Sequence, residues 1–319
     1  MKIIKFKVKI LYFALLVSVF LSVLSGPAYA YMGENNIKSA VTGNIFKKIN
    51  EYIENFKDKD DNTIDVPVLM YHHIDTFAMA STTVTPETFE NHIKALTDNG
   101  YTGVFFEELI DFVENGGELP DKPIVITFDD GYLSNYEFAY PILKKYNMKA
   151  TIFVIGVSVG KDTYRNTENS KYPIIPHFCY EQANEMTESG LVSIQSHTYD
   201  MHHWDLYEKR LGKEYRHGIL SLESESEEEY IEIFHSDYMR SKTEIEAGTK
   251  SEVTAFAYPY GTYTEFSEIL LKEMGVKVTV TTKYGSNKII RGSPETLYLL
   301  NRYTVDNMPS EKLLKIISQ

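Results

Sequence analysis

Cysteine is almost absent. Cys179 is the single one in 319 residues, so no intrachain disulfide can form, and it stands too far from the N-terminal segment to take a lipid at a processed leader. A lone thiol with no motif around it reads as a small apolar residue of the interior. Cationic charge is scarce as well: 32 Lys and Arg against 45 Asp and Glu leave a net charge of −13, which argues against nucleic acid and against docking on anionic lipid. No glycine-rich phosphate loop follows any strand-like run, which counts against a nucleotide site. A spanning helix needs about 20 apolar residues, and the N-terminal apolar run covers only residues 10–24. Disorder is not suggested either, with 43% hydrophobic and 24% charged residues.

That short run does have the form of an export signal. Lys2, Lys5, Lys7 and Lys9 precede it, and Ala28-Tyr29-Ala30 supplies a small-x-small cleavage pattern, so residues 1–30 read as a signal peptide, with an uncleaved membrane anchor as the alternative. Removing the segment takes away four lysines and no acid, leaving a still more acidic chain. Ile37, Val41, Ile45, Ile49, Ile53 and Phe56 then recur at helical spacing. Residues 31–64 are therefore expected to be an amphipathic helix with a charged linker, packing on the domain or spacing it from a membrane. The catalytic domain is expected over residues 65–319.

Within that domain short apolar runs alternate with helical patterns, the signature of an α/β fold with parallel strands. Strands are expected over residues 66–71, 101–105, 124–128, 150–155, 192–196, 255–258 and 276–281. Thr85-Pro86-Glu87 opens a helix with a polar cap and a proline in its first turn, and further helices are expected over residues 107–114, 135–146, 180–189, 224–247, 264–274 and 309–317. Residues 156–178 and 204–222 read as loops. The acid-rich 224–247 stretch reads as a solvated helix face. About seven strands in this alternation predict a distorted (β/α) barrel.

In a parallel barrel the carboxyl ends of the strands share one face, where catalytic groups collect. The polar strand ends are His72, the pair Asp129 and Asp130, His197, and Pro259-Tyr260. Taken alone, Asp129-Asp130-Gly131 is ordinary turn chemistry. His197 and His202, in SHTYDMHH, would sit on opposite faces of a continued strand, and a turn after His197 would bring them together. Two neutral imidazoles and a carboxylate commonly hold a divalent metal while leaving positions open. His203 competes with His202 for that role, and a hydrogen-bonded surface turn would explain the histidines without any metal.

The ordered set VLMYHHI, TFDDG, SHTYDMH and AFAYPYG, spread over residues 65–305, resembles the polysaccharide deacetylases, the family 4 carbohydrate esterases. The resemblance implies a distorted barrel and an exported, metal-dependent N-deacetylase acting on an N-acetylated polysaccharide at the cell surface or outside the cell. It makes Asp129 the general base, Asp130, His197 and His202 the ligands of a divalent metal, and the Tyr260 N–H an oxyanion donor. Zinc is the first expectation for the metal, with cobalt, nickel or manganese as alternatives. Four residues between the histidines, where many members have two or three, is similar to the branch that deacetylates poly-N-acetylglucosamine. Two expected residues are missing from their usual places. No late histidine serves as general acid, since the last one is His235 and LLNRYTV (residues 299–305) occupies that region, and no arginine precedes Pro259 to orient Asp129. The candidates for protonating the leaving amine are Asp129 itself and His72. A barrel glycoside hydrolase with paired carboxylates and an inactive glycan-binding member are the rival readings.

Overall fold

Pro67 divides the first apolar run. Ahead of it the chain forms β1 (Thr63–Val66) and behind it β2 (Val68–Tyr71), because a residue without an N–H interrupts the ladder. The strand expected over 66–71 is therefore two strands. This computed structural model describes residues 62–77, 80–166 and 172–318; the expected signal peptide and the amphipathic helix expected from the Ile37 to Phe56 periodicity lie outside them. In chain order there follow α1 (Pro86–Asp98), β3 (Thr102–Gly103), α2 (Phe106–Glu114), β4 (Pro123–Phe128), α3 (Tyr140–Tyr146), β5 (Ala150–Val154), α4 (Tyr180–Glu188), β6 (Val192–Ser196), α5 (Asp205–Arg210), α6 (Glu227–Thr249), β7 (Ala255–Ala257), α7 (Glu265–Glu273), β8 (Val278–Val280), β9 (Asn287–Ile290), β10 (Tyr303–Thr304) and α8 (Ser310–Ile317). Among the described residues no helix is long and apolar enough to cross a membrane.

Seven strands lie side by side in the order β10-β2-β4-β5-β6-β7-β8, all parallel. They form a curled sheet, the distorted barrel expected from the alternation. One stretch of chain joins its two ends: Leu300 bridges to Val280 of β8, and Tyr303 pairs with Leu69 of β2. β1 leaves this sheet and pairs antiparallel with β9.

The period-2 alternation of the strands separates two cores. Leu69, Tyr71, Ile124, Ile126, Phe128, Ile152 and Ile194 pack with Phe89, Ile93 and Leu96 of α1 and Leu143 of α3. Val68, Val125, Phe153, Ala255, Ala257, Val278 and Val280 pack instead with Phe106, Leu109 and Val113 of α2. Burying a side chain of this size stabilises the fold by about 1.5–3 kcal/mol. By parity, Thr127 and Asp129 continue the Val125 face, His72 the Val68 face, and His197 the face of Ser193 and Gln195. The polar strand ends thus point toward one another.

Local differences from the expected elements have local causes. α1 starts as its cap predicts, with Thr85 Oγ1 accepting the Thr88 N–H at 3.2 Å and Pro86 in the first turn. The 135–146 helix opens as a wide π turn over Asn135–Ala139 before α3, and Asn135 Nδ2 donates to the His72 carbonyl at 2.8 Å. The 204–222 loop contains the short α5.

Candidate active site

The two acids at the end of β4 diverge at once. Asp130 has φ 75° and Gly131 φ 83°, two consecutive left-handed residues, a region that Asp tolerates and Gly adopts freely. A β-carbon on Gly131 would also lie 2.9 Å from Val154 Cγ1, so no other residue fits there without a shift. The turn leaves Asp129 inside the sheet and swings Asp130 toward β6.

Asp129 meets a residue that sequence reasoning missed. Arg302, fully buried, donates from Nη1 to Asp129 Oδ1 at 2.7 Å and from Nη2 to Oδ2 at 2.8 Å. The guanidinium is itself fixed by the Thr281 carbonyl at 2.7 Å from Nε and by Thr127 Oγ1 at 3.2 Å from Nη1. Burial works against a charged carboxyl, but Arg302, with a smaller share from His197, outweighs it and holds Asp129 well below the usual carboxylate range. The orienting arginine absent from the third motif is therefore supplied by LLNRYTV, the stretch that joins the two ends of the sheet.

The histidines converge as well. Thr198, with φ 77°, turns the chain after β6, so that four intervening residues fold back and bring the His197 and His202 rings to 5.1 Å between centroids. His197 donates Nδ1–H to the Ala257 carbonyl at 2.8 Å, which fixes its tautomer and leaves Nε2 facing Asp130. Asp130 Oδ1 lies 3.7 Å from His197 Nε2 and 3.6 Å from His202 Nε2. Burial pushes the His202 imidazole down to about 4, so it is neutral at pH 7, the form that ligates metals. His203 is turned away: its Nε2 donates to the Asp200 carbonyl at 2.9 Å and its Nδ1 accepts the Arg216 N–H at 3.2 Å.

Two further expected residues border this cluster. His72 Nε2 is 4.0 Å from Asp129 Oδ2. Tyr260, at φ 58° in the turn after β7, packs its ring 4.6 Å from that of His202 and donates its hydroxyl to the His203 carbonyl at 2.6 Å. All six residues singled out in the sequence are thus near one another. The solvated face expected of α6 holds for Glu227, Glu228 and Glu229 but not for Asp237, which accepts N–H groups of the 198–201 turn.

The cluster fits a divalent ion by its own chemistry. Asp130 Oδ1 is buried without a hydrogen-bond partner, a costly state unless something else satisfies it. One ligand atom from each of Asp130, His197 and His202 lies within 4.8 Å of the others, and two ligands about 2.1 Å from a shared tetrahedral ion stand roughly 3.4 Å apart, close to the separations seen here.

The polysaccharide deacetylase family model matches residues 116–279, about half of the chain. This chain belongs to that family, whose members are hydrolases acting on the amide bond of N-acetylated sugars. Among its relatives, YxkH of Bacillus subtilis is 33% identical over 77% of this chain and 74% of that protein. The poly-β-1,6-N-acetyl-D-glucosamine N-deacetylase of Staphylococcus epidermidis is 26% identical over 73% of this chain and 71% of that protein. Among solved structures, the de-N-acetylase from Aggregatibacter actinomycetemcomitans superposes with a TM-score of 0.65 at 26% identity, covering 80% of this chain and all of that one.

Proposed function

We propose that this chain is an exported, divalent-metal-dependent N-deacetylase of a β-1,6-linked poly-N-acetylglucosamine polymer. The observation that carries the reading is the buried, unpartnered Asp130 Oδ1 facing His197 and His202, beside a second carboxylate kept charged by Arg302. The name of the S. epidermidis relative and the four residues between the histidines support the polymer. Export rests on the cationic, then apolar, then small-x-small pattern of residues 1–30, with an uncleaved segment as a membrane tether being the alternative form.

In this reading Asp130, His197 and His202 hold the ion, zinc in the first instance. When bound, such an ion polarises the acetamide carbonyl and lowers the pKa of a coordinated water toward 7. Asp129 is the base: locked by Arg302, it presents a carboxylate of fixed orientation that accepts the proton of the attacking water. The Tyr260 N–H would serve as the donor to the developing oxyanion. The departing amine, which a late histidine would otherwise protonate, takes its proton from Asp129 itself or from His72, 4.0 Å from Asp129. A glycosidase needs two carboxyl groups free to act across the sugar; in this reading Asp130 is committed to the ion with His197 and His202, so the pair does not serve that reaction.

The test compares acetate release from β-1,6-linked N-acetylglucosamine oligomers and from peptidoglycan, using wild-type protein and Asp129→Asn. The reading expects release from the oligomers, little from peptidoglycan, and a loss of at least about 100-fold in Asp129→Asn. Equal release by Asp129→Asn overturns the base assignment, and preference for peptidoglycan overturns the polymer.

A further inference from the structure

His197 and His202 are held in unlike ways. The His197 ring is fixed directly, by its Nδ1–H to the Ala257 carbonyl at 2.8 Å. His202 Nδ1 is buried and has no hydrogen-bond partner, so no hydrogen bond at that nitrogen sets the direction of the ring. A histidine ligand usually donates its second nitrogen to an acceptor that orients it. Here the placement of the imidazole has to come from the backbone that carries it and from packing on Tyr260 at 4.6 Å.

That backbone is a strained turn. Thr198, a β-branched residue, sits at φ 77°, a conformation that costs on the order of 1–3 kcal/mol and persists only where the surroundings enforce it. On one side the turn is held by the segment after β5, whose Gly156 and Val157 N–H groups donate to the Thr198 and Tyr199 carbonyls at 3.0 and 2.9 Å. On the other side a single carboxylate takes the two N–H groups that the turn presents: Asp237 Oδ1 accepts from Tyr199 at 2.8 Å and Oδ2 from Asp200 at 2.6 Å. Asp237 stands in the middle of α6, a 23-residue helix, so the acceptor is anchored on a rigid element. Two hydrogen bonds from adjacent N–H groups to the two oxygens of one carboxyl fix both position and tilt of the peptide planes.

We propose that Asp237 is a positioning residue for metal binding: it fixes the 198–201 turn so that His202 Nε2 meets Asp130 and His197, the task that a direct hydrogen bond performs for His197. The inference rests on the metal-ligand reading of the proposed function. It predicts that the fold can survive loss of Asp237 while the affinity for the ion cannot.

The experiment uses the full metal-stripped protein and zinc alone as probe. Zinc affinity is measured by competition with a chromophoric chelator for wild type, Asp237→Ala, Asp237→Asn and Glu232→Ala, the last on the exposed side of the same helix. Amide exchange at Tyr199 and Asp200 is followed without metal. Asp237→Ala is expected to weaken zinc binding by about 10-fold or more and to speed exchange at both amides. Asp237→Asn keeps one acceptor and has an intermediate effect, and Glu232→Ala matches wild type. Should Asp237→Ala not fold, Asp237→Asn carries the comparison. Unchanged zinc affinity in a folded Asp237 variant overturns the inference, whatever its melting temperature. Wild type that binds no zinc, with slow exchange at Tyr199 and Asp200, removes the metal reading and the proposed role of Asp237 with it, and so is told apart from failure of the clamp alone.

Discussion

Replacing Arg302 with methionine perturbs a fully buried charge of the barrel. The variant loses all four hydrogen bonds of the guanidinium, to Asp129 Oδ1 and Oδ2, the Thr281 carbonyl and Thr127 Oγ1. Methionine fills much of the volume, so the main consequence is a buried carboxylate without its partner. Breaking a buried pair from one side costs about 3–5 kcal/mol, which for a domain of this size lowers Tm by about 10 °C. The second consequence concerns protons. With Arg302 present the Asp129 carboxyl lies well below its ordinary value despite burial; without it burial dominates and the pKa rises. If Asp129 is the base, as proposed, the acidic limb of the rate profile then moves to higher pH and activity at pH 7 falls by about 100-fold. Arg302→Lys keeps a charge but cannot span both oxygens, so it should restore part of the stability and little of the rate. Thermal melting and kcat against pH read both effects. A methionine variant that melts within about 2 °C of wild type and keeps its pH profile refutes the role given to this pair.

Three other perturbations have defined outcomes. Gly131→Ala combines a φ of 83° with a β-carbon 2.9 Å from Val154 Cγ1, and should destabilise by about 1–3 kcal/mol, seen as a shifted urea midpoint. His202→Ala should abolish zinc binding while His203→Ala retains it, because His203 is committed to Asp200 and Arg216; the reverse result moves the ligand register by one. Burial holds His202 and His177 at about 4 in the folded chain, against 6.5 for an ordinary histidine. At these two sites the unfolded state therefore binds more protons between these values, and they should make the metal-free protein lose stability as pH falls from about 6.5 toward 4, against the opposite contribution of Asp237, which burial raises to about 7. Urea midpoints of wild type and His177→Gln across that range check it: the variant should lose less, and profiles that fall equally contradict it.

Much of this arrangement was legible in the sequence because strands and carboxyl ends carry local signals. The apolar run before Asp129 and the glycine after Asp130 mark the strand end and turn that the structure contains, and the histidines of SHTYDMHH fold back as a turn after His197 requires. What was hidden depends on distant chain. Arg302 lies 173 positions from Asp129 beside a two-residue strand, too short to show a period, and its arginine is distinguished from any other only by the closure of the sheet. Asp237 sits in an acidic helix whose exposed glutamates mask it, and its task is defined by N–H groups of another segment. The choice between His202 and His203 turned on backbone geometry at Thr198, which no residue pattern announces. β1 and β9 were missed as a pair because their partners are over 200 residues apart.

The account stands most directly on one titration: metal-stripped protein with increasing zinc, following bound ion and acetate release from a β-1,6-linked N-acetylglucosamine oligomer together. One ion per chain, activity rising in step with occupancy, and loss of both in Asp130→Ala is the predicted result. Full acetate release after exhaustive chelation, or undiminished binding by Asp130→Ala, would contradict it.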